Sequence, residues 1–238
     1  IWIGYDPRDD RAFRVCEASI QQRSSVLVNI QSIKESEMRR HGYARTYRVE
    51  RNGQKIDTTN GLETPFSTDF SFTRFMVPYL AGYRDGLCVY MDPDMLVRGD
   101  IAELLDLCRR DGQKALWCVQ HKHEPPEDTK MDGVRQTRYE RKNWSSLVVW
   151  NPARNAFLTR ERINELPGSY LHGFSWLPDA ELGALPIEWN FLVGWTNPCA
   201  NPKIVHFTSG TPDFEGYENQ PYAGEWHATW RQSVRGIS

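Results

Sequence analysis

The run Leu87-Cys88-Val89-Tyr90-Met91 is apolar at every position and passes directly into Asp92-Pro93-Asp94. A half-exposed strand alternates apolar and polar residues; a run without alternation predicts a central strand covered on both faces. Pro93 has no N–H to give to a sheet ladder, so the strand has to end there. That junction narrows the fold class to an α/β sheet, in which ligands collect at the carboxyl ends of the strands.

The flanking pattern agrees. Ile1-Trp2-Ile3-Gly4-Tyr5 predicts a first strand, Asp6-Pro7-Arg8-Asp9-Asp10 a loop, and Ala12, Val15, Cys16, Ser19 and Ile20 recur at helical spacing. Ser25 to Ile30 is expected to be a second strand and Glu35 to His41 a short helix stopped at Gly42, a β-α-β rhythm that implies a parallel sheet. Residues 43–61 read as a loop or small hairpin, and Ser67 to Tyr83 as a longer helix with Phe72, Phe75, Met76 and Leu80 on one face, kinked or ended by Pro78. Further strands are expected at Met95 to Val97, Ala115 to Gln120, Ser146 to Trp150 and Lys203 to Phe207, helices at Ile101 to Cys108 and near Thr159 to Leu166, and a loop-heavy tail. Residues 121–143 are polar and read as a loop. No repeat, low-complexity tract or linker divides the sequence, so residues 1–238 are expected to form a single domain.

Composition removes some classes of function. A formal net charge of −2 provides no global field to draw the chain onto nucleic acid or an anionic membrane. No stretch approaches the roughly 20 apolar residues that span a bilayer, so no transmembrane segment is expected. Cys16, Cys88, Cys108, Cys118 and Cys199 are scattered without a C-x-x-C pair. With no charged-then-apolar segment opening the sequence, they make a reducing, cytoplasmic setting the expectation. The 9 Trp residues suit either core filling or a sugar-lined cleft.

Asp92 and Asp94 carry the sharpest chemistry. Two carboxylates at one strand end repel unless protons or a cation intervene, and their oxygens suit Mg²⁺ or Mn²⁺ bridging to a diphosphate. Two acids in a solvated surface turn would read the same way in isolation.

The surrounding frame is more specific. Tyr90-Met91-Asp92-Pro93-Asp94-Met95-Leu96-Val97, with Ser67 to Tyr83 before it and Asp100-Ile101-Ala102-Glu103-Leu104 after it, resembles the D-x-D segment of GT-A fold nucleotide-sugar glycosyltransferases, especially the family-eight type. The resemblance covers most of the chain and implies a Rossmann-like α/β domain with a mostly parallel central sheet. It implies that Gly4, Tyr5 and Asp6 meet the nucleotide base and ribose, that Arg74 is aimed at the donor, and that Met91, Asp92, Pro93 and Asp94 face the donor and its metal. Lys203-Ile204-Val205-His206-Phe207-Thr208-Ser209-Gly210 is similar to the family's late histidine motif, so His206 is implied as a third metal ligand and the Gly210 loop as a neighbour of the diphosphate. An imidazole ligand tilts the preference from Mg²⁺ towards Mn²⁺; a histidine packed beside a core strand with one hydrogen bond is the other use of such a residue.

Three further segments match more loosely. Ser145 and Ser146 in Asn143-Trp144-Ser145-Ser146-Leu147 are small enough to leave room for a sugar, and equally suit a plain strand start. Asp179, in Trp176-Leu177-Pro178-Asp179 ahead of Leu185-Pro186-Ile187-Glu188-Trp189-Asn190, resembles an acidic contact to donor-sugar hydroxyls, with a helix N-cap as its alternative. After Gly210 the family often has a lysine and then Pro-Trp, whereas this chain has Thr211-Pro212-Asp213-Phe214, so a cation for the leaving phosphate has to come from elsewhere. Arg135, Arg138, Arg141 and Lys142 form a basic run suited to phosphates or to a solvated loop.

Taken together, the resemblance implies metal-dependent transfer of a sugar, with retention, from a nucleotide-sugar donor of the UDP-sugar type. The acceptor can be a saccharide, a protein or a modified nucleic-acid base. A sugar nucleotidyltransferase shares the sheet and the metal but normally carries a Gly-rich basic loop after the first strand, which Asp6-Pro7-Arg8-Asp9-Asp10 is not. A non-catalytic carbohydrate-binding module would hold its ligand with aromatics and no metal.

Overall fold

The computed structural model describes residues 1–122, 141, 143–195 and 199–235. The chain opens with β1 (Trp2–Tyr5), α1 (Asp10–Arg23), β2 (Gln31–Lys34) and α2 (Glu35–Arg40). Next come β3 (Tyr47–Val49), β4 (Lys55–Asp57), β5 (Thr64–Phe66), α3 (Phe70–Thr73) and α4 (Val77–Leu80). The middle contains β6 (Cys88–Met91), β7 (Met95–Val97), α5 (Ile101–Arg110), β8 (Leu116–Val119) and β9 (Leu147–Trp150). The last part has α6 (Arg160–Glu165), α7 (Gly168–His172), β10 (Leu182–Leu185), β11 (Phe191–Leu192), β12 (Ile204–His206) and α8 (Ala223–Arg235).

Six strands form the central sheet in the order β10-β8-β9-β6-β1-β2. β1, β2, β6, β8 and β10 run in one direction and β9 against them. The sheet is covered on both sides, and side-chain alternation sorts each strand between two cores. Val89 and Met91 of β6, Leu147 and Val149 of β9, and Trp117 and Val119 of β8 enter one core with Cys16, Ile20, Ile101 and Leu104. Tyr90, Val148, Trp150, Leu116 and Cys118 enter the other with Phe72, Phe75, Met76 and Phe174. This is the mixed, mostly parallel α/β sheet that the resemblance implied.

A second sheet, β11-β12-β7, lies beside the first at the end of β6. α5, which follows it, is started by Asp100, whose side chain accepts from Ala102 N at 2.9 Å. No helix among the described residues is long and apolar enough to cross a membrane.

Four expectations need correction. The second strand is Gln31–Lys34, not residues 25–30. Gln31 N donates to Ile1 O and Ile33 pairs with Gly4, while Val26 and Leu27 stay exposed. Apolar composition does not reveal which residues meet a partner strand. The loop or small hairpin expected over residues 43–61 needs extending: β3 and β4 form that hairpin, and β5 adds a third antiparallel strand beyond it. The sheet is fastened by buried Arg45, which pairs with Asp57 and donates to Ile163 O and Leu166 O at 2.8 and 2.7 Å.

The 67–83 helix breaks one turn before Pro78. α3 and α4 are joined by a 3-10 turn at Arg74–Met76, and Pro78 sits in the first turn of α4, where its missing N–H costs nothing. The tail, read as loop-heavy, ends in the 13-residue α8. Trp226 of that helix is 1% exposed and packs with Val15, Leu96 and Phe207. One stripe of a largely polar segment thus finds an apolar face supplied by distant residues.

Candidate functional site

β6 delivers Asp92 and Asp94 to the carboxyl edge of the sheet. Asp92 N donates to Ser146 O at 2.9 Å, which extends the β6–β9 ladder by one bond before Pro93 ends it. β7 then turns back and pairs antiparallel with β12, setting His206 opposite Met95, one residue from Asp94. Phe207 N donates to Asp94 O at 3.0 Å and closes this corner. The result is a cluster in which one ligand atom each from Asp92, Asp94 and His206 all lie within 4.8 Å of one another.

Asp92 is 8% exposed and held from behind. Tyr90 Oη donates to its Oδ1 at 2.7 Å, and Arg74 Nη2 lies 3.1 Å from the same oxygen. Arg74 is itself buried and donates to Ser145 O at 2.8 Å and to Phe70 O at 3.2 Å. The crossing is close enough to require glycine at position 4, since a Cβ there would meet Phe70 and the Tyr90 hydroxyl oxygen at 2.7 Å. Burial pushes the Asp92 carboxyl above its usual pKa, Arg74 pulls it back, and Asp94 pushes it up again, leaving it raised. Half-buried Asp9, in the loop after β1, is pushed up to about 7 by burial and then by Asp94 and Asp6. The site holds more negative charge than Arg74 balances.

The His206 ring is oriented by a residue that sequence reasoning did not single out. Asn190 is fully buried; its Nδ2 donates to Ser146 Oγ at 2.9 Å, and its Oδ1 lies 2.9 Å from His206 Nδ1. The hydrogen-bond network assigns this amide orientation, so His206 Nδ1 is the protonated nitrogen and donates to Asn190. In the neutral form of the ring the lone pair is then on Nε2, which lies 3.2 Å from Asp94 Oδ1. Two acceptors that close repel unless a cation or proton lies between them. Two carboxylates and an imidazole oriented through its other nitrogen fit a divalent metal. The available signal was the Trp-Asn ending of Pro186-Ile187-Glu188-Trp189-Asn190, but only the fold places that amide behind His206.

The remaining predicted residues divide. Met91 is fully buried in the core, 3.5 Å from Cys16 Sγ, and Pro93 is buried, so both meet the site through backbone rather than side chain. Ser145 and Ser146 are buried and engaged: Ser145 Oγ lies 2.8 Å from His172 Nδ1, and Ser146 Oγ donates to Asn143 O at 2.7 Å. They also support the cluster, Ser145 O accepting from Arg74 Nη1 and Ser146 Oγ from Asn190 Nδ2.

At the end of β1, Tyr5 Oη donates to Asp10 at 3.0 Å. Asp6 accepts from Arg8 Nη2 at 2.7 Å and from Asp69 N at 3.2 Å. Burial pushes the Asp6 carboxyl up, but the Arg8 hydrogen bonds outweigh it and hold it below the usual range. Gly210 lies on the loop after β12, its N–H donating to Phe207 O at 2.9 Å and its carbonyl accepting from Gln220 at 2.8 Å.

Asp179 takes a different place from the one its motif implied. It lies before β10, at the amino rather than the carboxyl end of that strand, and its side chain is 83% exposed and paired with Arg141 at 2.5 Å. It does not cap the following turn either; the residue at the cap is Pro178. Arg135, Arg138 and Lys142 lie outside the described residues. Next to the Gly210 loop, Asp213 stands 3.9 Å from Arg11 of α1, a cation the motif comparison did not include.

No family model matches the chain. It is 44% identical over 233 residues to Protein CDI of Arabidopsis thaliana, a match covering 95% of this chain and 83% of that protein. Its structure is similar to the glycosyltransferase GlyE of Streptococcus pneumoniae TIGR4, with a TM-score of 0.58 and 14% identity over 99% of this chain. The chain spans 61% of the GlyE chain. It is also similar to the galactosyltransferase LgtC, solved with donor and acceptor sugar analogs, with a TM-score of 0.54 and 12% identity over 97% of this chain and 95% of LgtC. These likenesses show a common fold, that of GT-A glycosyltransferases.

Proposed function

We propose that this chain, which belongs to the family of Protein CDI of Arabidopsis thaliana, is a metal-dependent glycosyltransferase that uses a nucleotide-sugar donor, with UDP as the nucleotide. The observation that carries the reading is the Asp92–Asp94–His206 cluster, within 4.8 Å, at the carboxyl end of a central strand of a GT-A fold. That LgtC was solved with donor and acceptor sugar analogs supports the same class of substrate. Resemblance to the family-eight type adds retention of anomeric configuration.

A divalent cation, Mn²⁺ by the imidazole in the donor set, would neutralise the diphosphate and make it a better leaving group. The chain's own residues make that site available. Arg74 and Tyr90 fix the Asp92 carboxylate, Asn190 turns the His206 lone pair into the cluster, and the turn at Pro93 sets Asp94 opposite it. Arg74 lies behind Asp92 and acts as a positioning residue. Tyr5 and the Asp6 loop at the end of β1 serve the nucleotide, and Gly210 brings backbone towards the diphosphate.

Calorimetry with UDP, with and without Mn²⁺, tests the reading. Wild-type protein is expected to bind UDP only when Mn²⁺ is present, and a carbohydrate-binding module would not. UDP binding that is absent, or indifferent to Mn²⁺ and chelator, would end it.

A further inference from the structure

His121 lies two residues beyond β8 at the same carboxyl edge, and the residue is 7% exposed. Neither Nδ1 nor Nε2 has a hydrogen-bond partner among the described residues. Buried polar groups are nearly always bonded, because an unmade bond costs the full desolvation of the group. A buried imidazole that no described residue bonds at either nitrogen is a destabilising feature unless something else uses it.

Its position indicates that use. Trp144 Nε1 donates to His121 O at 2.9 Å, tying the residue to the turn that carries Ser145 and Ser146. Along the edge the sheet order runs β1, β6, β9, β8, so β8 is on the far side of Asp92 and Asp94 from Tyr5 and Asp6. Two strand spacings, roughly 10 Å, separate β6 from β8. A nucleotide at β1 with its diphosphate at the end of β6 sends its sugar towards β9 and β8. Burial, and then the neighbouring His206 imidazole, push the His121 pKa down to about 4, so the His121 ring is neutral and His206 is within its electrostatic reach. A neutral imidazole offers one donor and one acceptor, which matches a hydroxyl; a phosphate only accepts and a metal takes only a lone pair.

Resting on the transferase reading above, we propose that His121 is a specificity-determining contact to a hydroxyl of the sugar carried by the donor. The test compares His121→Leu and His121→Gln with wild type, by thermal melting without ligand and by calorimetry with Mn²⁺ plus UDP, UDP-glucose, UDP-galactose, UDP-xylose or UDP-N-acetylglucosamine. His121→Leu removes the unbonded polar group and should raise Tm by a few degrees. It should keep UDP affinity within about twofold while losing about tenfold of the extra affinity that the best UDP-sugar shows over UDP. His121→Gln, which keeps a donor and an acceptor, should restore most of that preference.

A purely structural histidine would give the opposite pattern: lower Tm and weaker binding of UDP and UDP-sugars alike. That pattern, an unchanged sugar preference in His121→Leu, or a wild-type protein that prefers no UDP-sugar over UDP would each overturn the role of His121 alone. Wild-type protein that binds no UDP with Mn²⁺ would overturn the transferase reading itself.

Discussion

Two buried arginine–aspartate pairs pack against rings of α3, Arg45 over Phe72 and Arg74 over Phe70, and they differ in charge balance. Arg45 and Asp57 are each 1% exposed; Arg45 also donates to two carbonyls, Asp57 accepts from Thr59 N, and the guanidinium sits 4.1 Å from the centre of the Phe72 ring. One cation meets one anion, and the pair ties the β3-β4-β5 sheet to the last turn of α6 and the residue that caps it. Arg74 and Asp92 start the same way, but Asp94 and His206 crowd against them and Asp9 adds its charge. The comparison teaches that burial of a charge does not mark a site. Surplus charge of one sign, held in place by neutral hydrogen bonds, does.

The contrast is broken most severely by removing a member of the Asp92–Asp94–His206 cluster. Asp94→Ala and His206→Ala are each expected to weaken Mn²⁺ binding by more than about 100-fold, beyond the usual effect of an outer-shell residue. Asp94→Ala should leave stability unchanged or raised, because a like charge next to Asp92 is gone. Mn²⁺ titration followed by paramagnetic resonance, with urea melts alongside, reads both; Mn²⁺ bound as tightly by either variant as by wild type would remove the metal model.

The balanced pair should respond the other way. Asp57→Ala leaves Arg45 as an uncompensated buried charge and should cost about 3–5 kcal/mol of stability. The folded fraction should bind Mn²⁺ as wild type does. A melt within 1 kcal/mol or so of wild type would show that solvent reaches Arg45.

Acid sharpens the same distinction. A histidine at about 4 when folded and 6.5 when unfolded takes up its proton preferentially in the unfolded chain, so stability is whole above pH 6.5 and declines as pH falls towards 4. For His121 the loss approaches about 3 kcal/mol. His172, whose pKa is lowered by burial and then by Arg74, acts in the same direction. Urea melts between pH 7 and 4.5 should show a shallower decline for His121→Leu than for wild type, and parallel curves would contradict the buried, neutral ring.

The smallest effect is expected at Asn190. Asn190→Leu should weaken Mn²⁺ binding about 10–100-fold and shift His206 towards the Nε2-protonated tautomer, readable in nitrogen-15 spectra of the imidazole without metal. An unchanged tautomer would show that some other contact orients the ring.

Legibility in the sequence followed the range of the forces involved. β6 and the turn at Pro93 were readable because strand burial and proline chemistry act within a few residues. β2 was misplaced because pairing with β1, not the apolar run at Val26 to Val28, selects the strand residues. α8 was missed because its apolar stripe is small and its partners, Val15, Leu96 and Phe207, lie far away in sequence. Asp179 matched a motif by order along the chain, yet its strand runs so as to leave it at the amino end.

By itself the sequence determined a doubly covered strand ending in two carboxylates, with a histidine at the end of a later strand, since residue type and local spacing suffice for each. Only the tertiary structure decided that β12 pairs back onto β7, that Asn190 turns the imidazole, that both serines are occupied, and that the buried His121 ring has no hydrogen-bond partner among the described residues. Those are relations between residues tens of positions apart, and hydrogen bonds and like-charge repulsion act over a few ångströms of space whatever the distance along the chain.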